Sequence, residues 1–197
     1  MTIFLETERL ILRYFNKTDA HHLLELDSDP AVMRYINGGI PSNLADVEAL
    51  LDRILDYYEK YENFGFWATH EKVSGEFIGW FHFYPVTTNP FGIPENLFRE
   101  GETSLGYRFR QSSWGRGYGT EGARSLRNKG FNEWEVERII AWALPANQAS
   151  IRVMEKVGLK FEGSYQLKLE HLPALKHPEE RLLFKYGCDN TKLLSRE

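Results

Sequence analysis

The stretch SWGRGYGTEG, residues 113–122, sets glycines at 115, 117, 119 and 122 between a β-rich run and a helical one. Gly117, Gly119 and Gly122 satisfy G-x-G-x-x-G literally. That fingerprint belongs to a βαβ unit with an acid about 20 residues further on. At that distance stands Trp142, in IIAWAL, which argues against a nicotinamide oxidoreductase. A Walker A loop needs Gly-Lys-Ser/Thr after its last glycine, and this chain has Gly119-Thr120-Glu121.

A lone glycine would mark a tight turn or close packing. Four of them at a strand-to-helix junction are a stronger signal. The first turn of a helix carries unpaired N–H groups and the positive end of its dipole, and glycines let phosphate oxygens approach them. A pyrophosphate suits such a backbone. Arg108, Arg110 and Arg116 lie nearby and count towards the ligand, whereas Arg124, Arg127 and Lys129 suit a helix C-terminus.

Working outward, RLILRYF reads as a strand with Leu10, Leu12 and Tyr14 on one face. A short helix follows, capped by Asn16 or Thr18 and stopped by Pro30. A longer one, capped by Ser42 or Asn43, carries Leu44, Val47, Leu50, Leu51, Ile54, Leu55 and Tyr58 as its stripe. FGFWATHE and EFIGWFHFYPV form a hairpin across KVSG. ETSLGYRFR is the strand that enters the glycine stretch, and Gly130 is the expected end of the helix after it. VERIIAWAL is a strand, NQASIRVMEKV a helix stopped by Gly158, and LKFEGSYQL and ERLLFKYG are the last strands. The order predicts one mixed, largely antiparallel sheet in a single domain over residues 1–197.

The net charge of −4 argues against a general nucleic-acid binder. One cysteine, Cys188, excludes an internal disulfide framework, and the six histidines show no metal-ligand spacing. No apolar run approaches the ~20 residues that span a bilayer, so a cytoplasmic protein without metal, nucleic acid or membrane partner is expected.

WGRGYGTEGARSL resembles motif A of the GNAT superfamily of N-acetyltransferases, whose pattern is Gln/Arg-x-x-Gly-x-Gly/Ala. Trp114 occupies the first position, with Gly117 and Gly119 after it. That tryptophan and Thr120-Glu121 resemble the RimJ and RimL branch, which acetylates protein N-termini. ETERLILR at residues 6–13 is similar to the branch's opening strand. The resemblance implies an α/β (α+β) GNAT-like fold, a mixed central sheet with helices on both faces and a splayed-strand cleft for acetyl-CoA, with no metal. It implies that Tyr107, Phe109, Trp114, Gly115, Arg116, Gly117, Tyr118, Gly119, Thr120 and Asn147 bind the cofactor. The acceptor is an amine, on a protein N-terminus or a small molecule, and a homodimer is allowed.

Asn147 is read from spacing alone as a helix N-cap, and from the resemblance as a contact to the pantetheine arm. The family's usual tyrosine acid is here Met154, which cannot donate a proton. Ser150 is the replacement donor that the branch implies. Gly106 and Tyr107 are the expected positions for a bulge whose N–H meets the developing oxyanion. Glu102 is a candidate base, on the same strand face as Ser104 and Gly106, although acids at strand starts are commonly just solvated. His82, on a face with Trp80 and Tyr84, is a second candidate base or a structural histidine. Segments 85–101 and 164–180, with Phe91, Phe98 and His171, are candidate walls of the acceptor site. A non-catalytic acyl-CoA-binding module is the rival reading.

Overall fold

The computed structural model describes residues 2–88, 90, 94, 97–172 and 174–194. The elements run β1 (Ile3–Glu6), β2 (Leu10–Tyr14), α1 (Ala20–Asp27), α2 (Pro30–Asn37), α3 (Leu44–Lys60), β3 (Gly65–Glu71), β4 (Phe77–Pro85) and β5 (Glu102–Phe109). They continue with α4 (Tyr118–Glu133), β6 (Arg138–Ala143), α5 (Gln148–Lys156), β7 (Lys160–Gln166), β8 (Leu182–Asp189) and α6 (Thr191–Leu194). Two compact units share them: Met1–His82 with Tyr107–Gly122, and Phe83–Gly106 with Ala123–Glu197.

In the first unit the strand order is β1-β2-β3-β4-β5. β2 is antiparallel to β1 and to β3, with Leu12 opposite Thr69. Leu10 and Leu12 are fully buried, as their alternation predicts. Arg13, the residue after Leu12, is also buried, because its guanidinium forms a two-armed pair with Asp19 at 2.6 and 2.7 Å. Burial alone would raise the Asp19 pKa, but hydrogen bonds from Arg13 and the Asn16 N–H hold it below the ordinary value.

α1 ends at Asp27, short of Pro30, and Pro30 itself opens α2. Its missing N–H is one that a first turn leaves unpaired anyway, and the Asp29 side chain caps the turn by accepting from Ala31 N. α3 is capped by Asn43, which exchanges hydrogen bonds with Asp46 in a capping box. Its buried stripe is Val47, Leu51, Ile54 and Tyr57, each such side chain contributing ~1.5–3 kcal/mol. Leu44 is left half-exposed at the mouth of the helix.

In the second unit the order is β4-β5-β6-β8-β7. β5 and β6 run parallel, Glu102 opposite Arg138 and Ser104 opposite Ile140. β8 is antiparallel to both β6 and β7. α4 continues past Gly130 to Glu133. Gly130 is there for close packing: an added Cβ would meet the Phe83 ring at 2.7 Å. Arg124 and Arg127 donate to the carbonyls of Lys156 and Val157, so they complete the C-terminal turn of α5 rather than that of their own helix. No helix among the described residues is long and apolar enough to cross a membrane.

Candidate active site

β5 ends at Phe109 and α4 begins at Tyr118, and the glycine stretch between them is built from three uses of glycine. Gly115 and Gly117 have φ of 72° and 84°, the left-handed region that side chains disfavour. A Cβ at Gly115 would meet nothing within 4 Å, and one at Gly117 only Arg9 Nη2, at 3.4 Å. The backbone there is bare and open. Gly119 instead packs on the Tyr107 ring, which a Cβ would approach to 3.1 Å, and Gly122 leaves room for the Phe81 ring.

The loop is pinned at its entrance by Trp114, half-exposed, whose indole Nε1 donates to the Phe109 carbonyl at 2.8 Å. Glu121 N makes the helical bond to Gly117 O at 3.0 Å. The N–H groups just ahead of it lie in the first turn of α4, whose N–H groups have no intrahelical acceptor. Phe109 is buried and its ring lies 5.3 Å from that of Tyr107. Thus Tyr107, Phe109 and residues 114–120 come together in the first unit.

Each of the three arginines expected to serve a ligand has a carboxylate partner. Arg108 pairs with Asp27, Arg110 with Glu25 and Arg116 with Glu71. Arg108 is 12% exposed and lies against Trp80, whereas Arg116 keeps half its side chain exposed. The Tyr118 hydroxyl also donates to Glu71, and that bond, with one from Ser74, lowers the Glu71 pKa.

Arg9, which sequence reasoning passed over, is the second cation at the loop. Its Nε donates to Glu121 Oε2 at 2.6 Å and its Nη1 to the Arg116 carbonyl at 2.9 Å. Thr7 Oγ1 and the Arg9 N–H both donate to Glu121 Oε1. Burial tends to raise the Glu121 pKa, and these donors overcome it and keep the carboxylate charged. No local spacing advertises Arg9, although it opens RLILRYF and lies within ETERLILR.

The other predicted residues fall in the second unit. Asn147 is the N-cap of α5, its Oδ1 accepting from Ser150 N at 3.2 Å. Asn147 and Ser150 are both half-buried, and Met154 is buried with Ile151 and Val157 in the helix's apolar stripe. The parallel pairing of β5 with β6 covers Glu102–Ser104, and Leu105 and Gly106 lie past it. Glu102 is not solvated: it is fully buried, and both its oxygens accept from Lys185 Nζ. Arg138 Nε stands 3.4 Å from it.

His82, in the first unit, is enclosed by Trp80 and Phe66, and burial followed by the Arg108 charge pushes its pKa down to about 3. Just past the segment 164–180, Arg181 is buried and donates to the carbonyls of Leu167, Leu175 and Lys176 within it. Phe98 meets the Trp142 ring at 6.1 Å, and Phe91 lies outside the described residues. No group of three or more metal-ligating side chains occurs among the described residues.

Known proteins agree with this architecture. The family description Acetyltransferase (GNAT) domain matches residues 9–160. The chain is 32% identical to "Uncharacterized protein YkkB" of Bacillus subtilis, over 80% of this chain and 85% of that one. It is 31% identical to the "FsC-acetyl coenzyme A-N(2)-transacetylase" of Aspergillus fumigatus, over 79% of this chain and 64% of that one. A solved GNAT acetyltransferase from Bacillus anthracis superposes with a TM-score of 0.74 at 25% identity, covering 97% and 99% of the two chains. RimL, titled a ribosomal L7/L12 alpha-N-protein acetyltransferase in complex with coenzyme A, shares the fold at a TM-score of 0.72 and 13% identity, covering 95% and 97%.

Proposed function

The chain belongs to the GNAT acetyltransferase family, and on that footing we propose that it moves the acetyl group of acetyl-CoA directly to a primary amine. The observation that carries this reading is the pair of left-handed glycines, Gly115 and Gly117, with open space before them at the start of α4. Residues 114–120 receive the pyrophosphate on backbone N–H groups, and Arg116 stands beside them. A Cβ at Gly117 would intrude into that cradle, which is the fit the cofactor requires.

Tyr107 and Phe109 form the wall on which the loop rests. Asn147 uses Oδ1 to hold the first turn of α5 and keeps its amide nitrogen for the pantetheine arm. Ser150, whose hydroxyl can donate a proton, serves the departing thiolate. A backbone N–H at Gly106 or Tyr107 meets the oxyanion. Glu102 is assigned a structural part, since its carboxylate is buried on Lys185. That leaves the acceptor amine to lose its proton through another group or to water.

For the acceptor, the resemblance to the RimJ and RimL branch favours a protein N-terminal amine. The activity in the name of the Aspergillus relative favours a small-molecule amine as the second reading. The test is thiol release from acetyl-CoA with peptides, amino acids, polyamines and aminoglycosides as acceptors. Turnover confined to peptides with free N-termini upholds the first reading. Tight acetyl-CoA binding with no turnover on any amine makes the protein a non-catalytic binding module.

A further inference from the structure

Arg9 sits in the turn between β1 and β2, and it reaches the glycine loop from outside. Its guanidinium is held on two sides, by the Glu121 carboxylate and the Arg116 carbonyl. It lies 4.8 Å from the centroid of the Tyr118 ring, and Arg116 lies 5.1 Å from the same centroid. The side chain is nonetheless 43% exposed, and Nη2 points to the open front of Gly117, 3.4 Å from where a Cβ would stand. We infer that Arg9 is a pyrophosphate-binding residue, contributed by the β1–β2 turn to the phosphate loop. The inference rests on the acetyl-CoA reading of that loop.

Two physical effects combine at this position. Nη2 offers a charge-assisted hydrogen bond to a phosphate oxygen, in the fixed geometry that a guanidinium keeps and an ammonium does not. Arg9 also cancels Glu121, an acid in the first turn of α4 that would otherwise repel the anion. Glu121 in return fixes the guanidinium's orientation. Removing Arg9 therefore deletes a cation and uncovers an anion, so its loss exceeds that of one hydrogen bond.

The test is calorimetric titration of the full chain and its Arg9→Ala, Arg9→Lys and Arg9→Ala/Glu121→Gln variants with three donors: acetyl-CoA, its 3′-dephospho form and acetyl-pantetheine. Arg9→Ala is expected to weaken both pyrophosphate-containing donors by about tenfold or more, the size of a lost charged hydrogen bond. Acetyl-pantetheine binding should be unchanged, the double variant should recover part of the loss, and affinity should become less sensitive to salt. Arg9→Lys, which keeps the charge, should lie between wild type and Arg9→Ala and serves as the readout if Arg9→Ala does not fold. Equal weakening of all three donors makes Arg9 a scaffold residue only and overturns the inference. Loss confined to acetyl-CoA moves Arg9 to the 3′-phosphate and overturns it too. Normal acetyl-CoA binding by the variants overturns the inference alone, whereas a wild type that binds no acetyl-CoA overturns the proposed function with it.

Discussion

Both carboxylate oxygens of Glu102 accept from Lys185 Nζ, at 2.6 and 2.7 Å, with the two side chains 0% and 1% exposed. A pair this deep costs desolvation to form, but costs more to break from one side only. Lys185→Met should destabilise the fold by roughly 3–5 kcal/mol, and Lys185→Met with Glu102→Gln by clearly less. Urea denaturation of wild type, these two variants and Glu102→Gln alone checks this. If Glu102→Gln instead keeps full stability and abolishes turnover, the acid belongs to the chemistry.

The glycines of the loop should separate by assay. Gly117→Asp places a side chain and a like charge at a left-handed position before the cradle, and is expected to weaken acetyl-CoA binding by about tenfold or more with the fold intact. Gly122→Ala drives a methyl into the Phe81 ring, and should cost about 1–3 kcal/mol of stability while the folded fraction binds normally. Titration calorimetry and thermal melts on both variants suffice. Unaltered affinity in Gly117→Asp would sink the loop assignment.

On α5, Ser150→Ala should lower kcat on the order of a hundredfold, as expected for a lost general acid, with the acetyl-CoA Kd little changed. Asn147→Ala should act differently, removing the cap bond to Ser150 N and costing about 1 kcal/mol of stability. Parallel losses of kcat and affinity in Ser150→Ala would make it a binding residue.

Acid sensitivity should trace to two histidines. Burial holds His82 down to about 3 and, with the charge of neighbouring His21 next in size, His22 down to about 4. Both are neutral in the fold, while in the unfolded chain they take up protons below about 6.5. The unfolded state then binds more protons, so stability falls as pH drops from about 6.5 towards about 4 and continues to fall more gently to about 3. Melting temperatures measured across that window should show a shallower decline in His82→Phe than in wild type. An equal decline would mean that His82 is not one of the groups responsible.

What could be read from the chain and what could not divide by reach. The Asn43 cap, the Asn147 cap and the glycine loop are local patterns, in which a residue and its partner lie within one turn, and each is found where its spacing puts it. The carboxylate partners of the arginines were not legible, because charges along the chain can be counted only against neighbours in sequence. Asp27, Glu25 and Glu71 stand 81, 85 and 45 positions from Arg108, Arg110 and Arg116. Glu102 reads from the chain as a candidate base or a solvated acid at a strand start, and its partner Lys185, on β8 beside β6, is visible only in the fold. Pro30 carried the opposite trap: a residue that ends helices also begins them, and Asp29 before it was the cue to the second role.

Glu121 lies 112 positions after Arg9, and residues 83–106, between the two parts of the first unit, belong to the other. At cellular rates of synthesis that separation is roughly 6 to 22 seconds of elongation. Throughout it the N-terminal strands exist without the helix start that Arg9 will hold, and the arginine waits as an unmatched cation. On the proposed function, capture of the donor would therefore be absent from the nascent chain until the segment around residue 122 has been made and the phosphate loop meets the arginine made long before it.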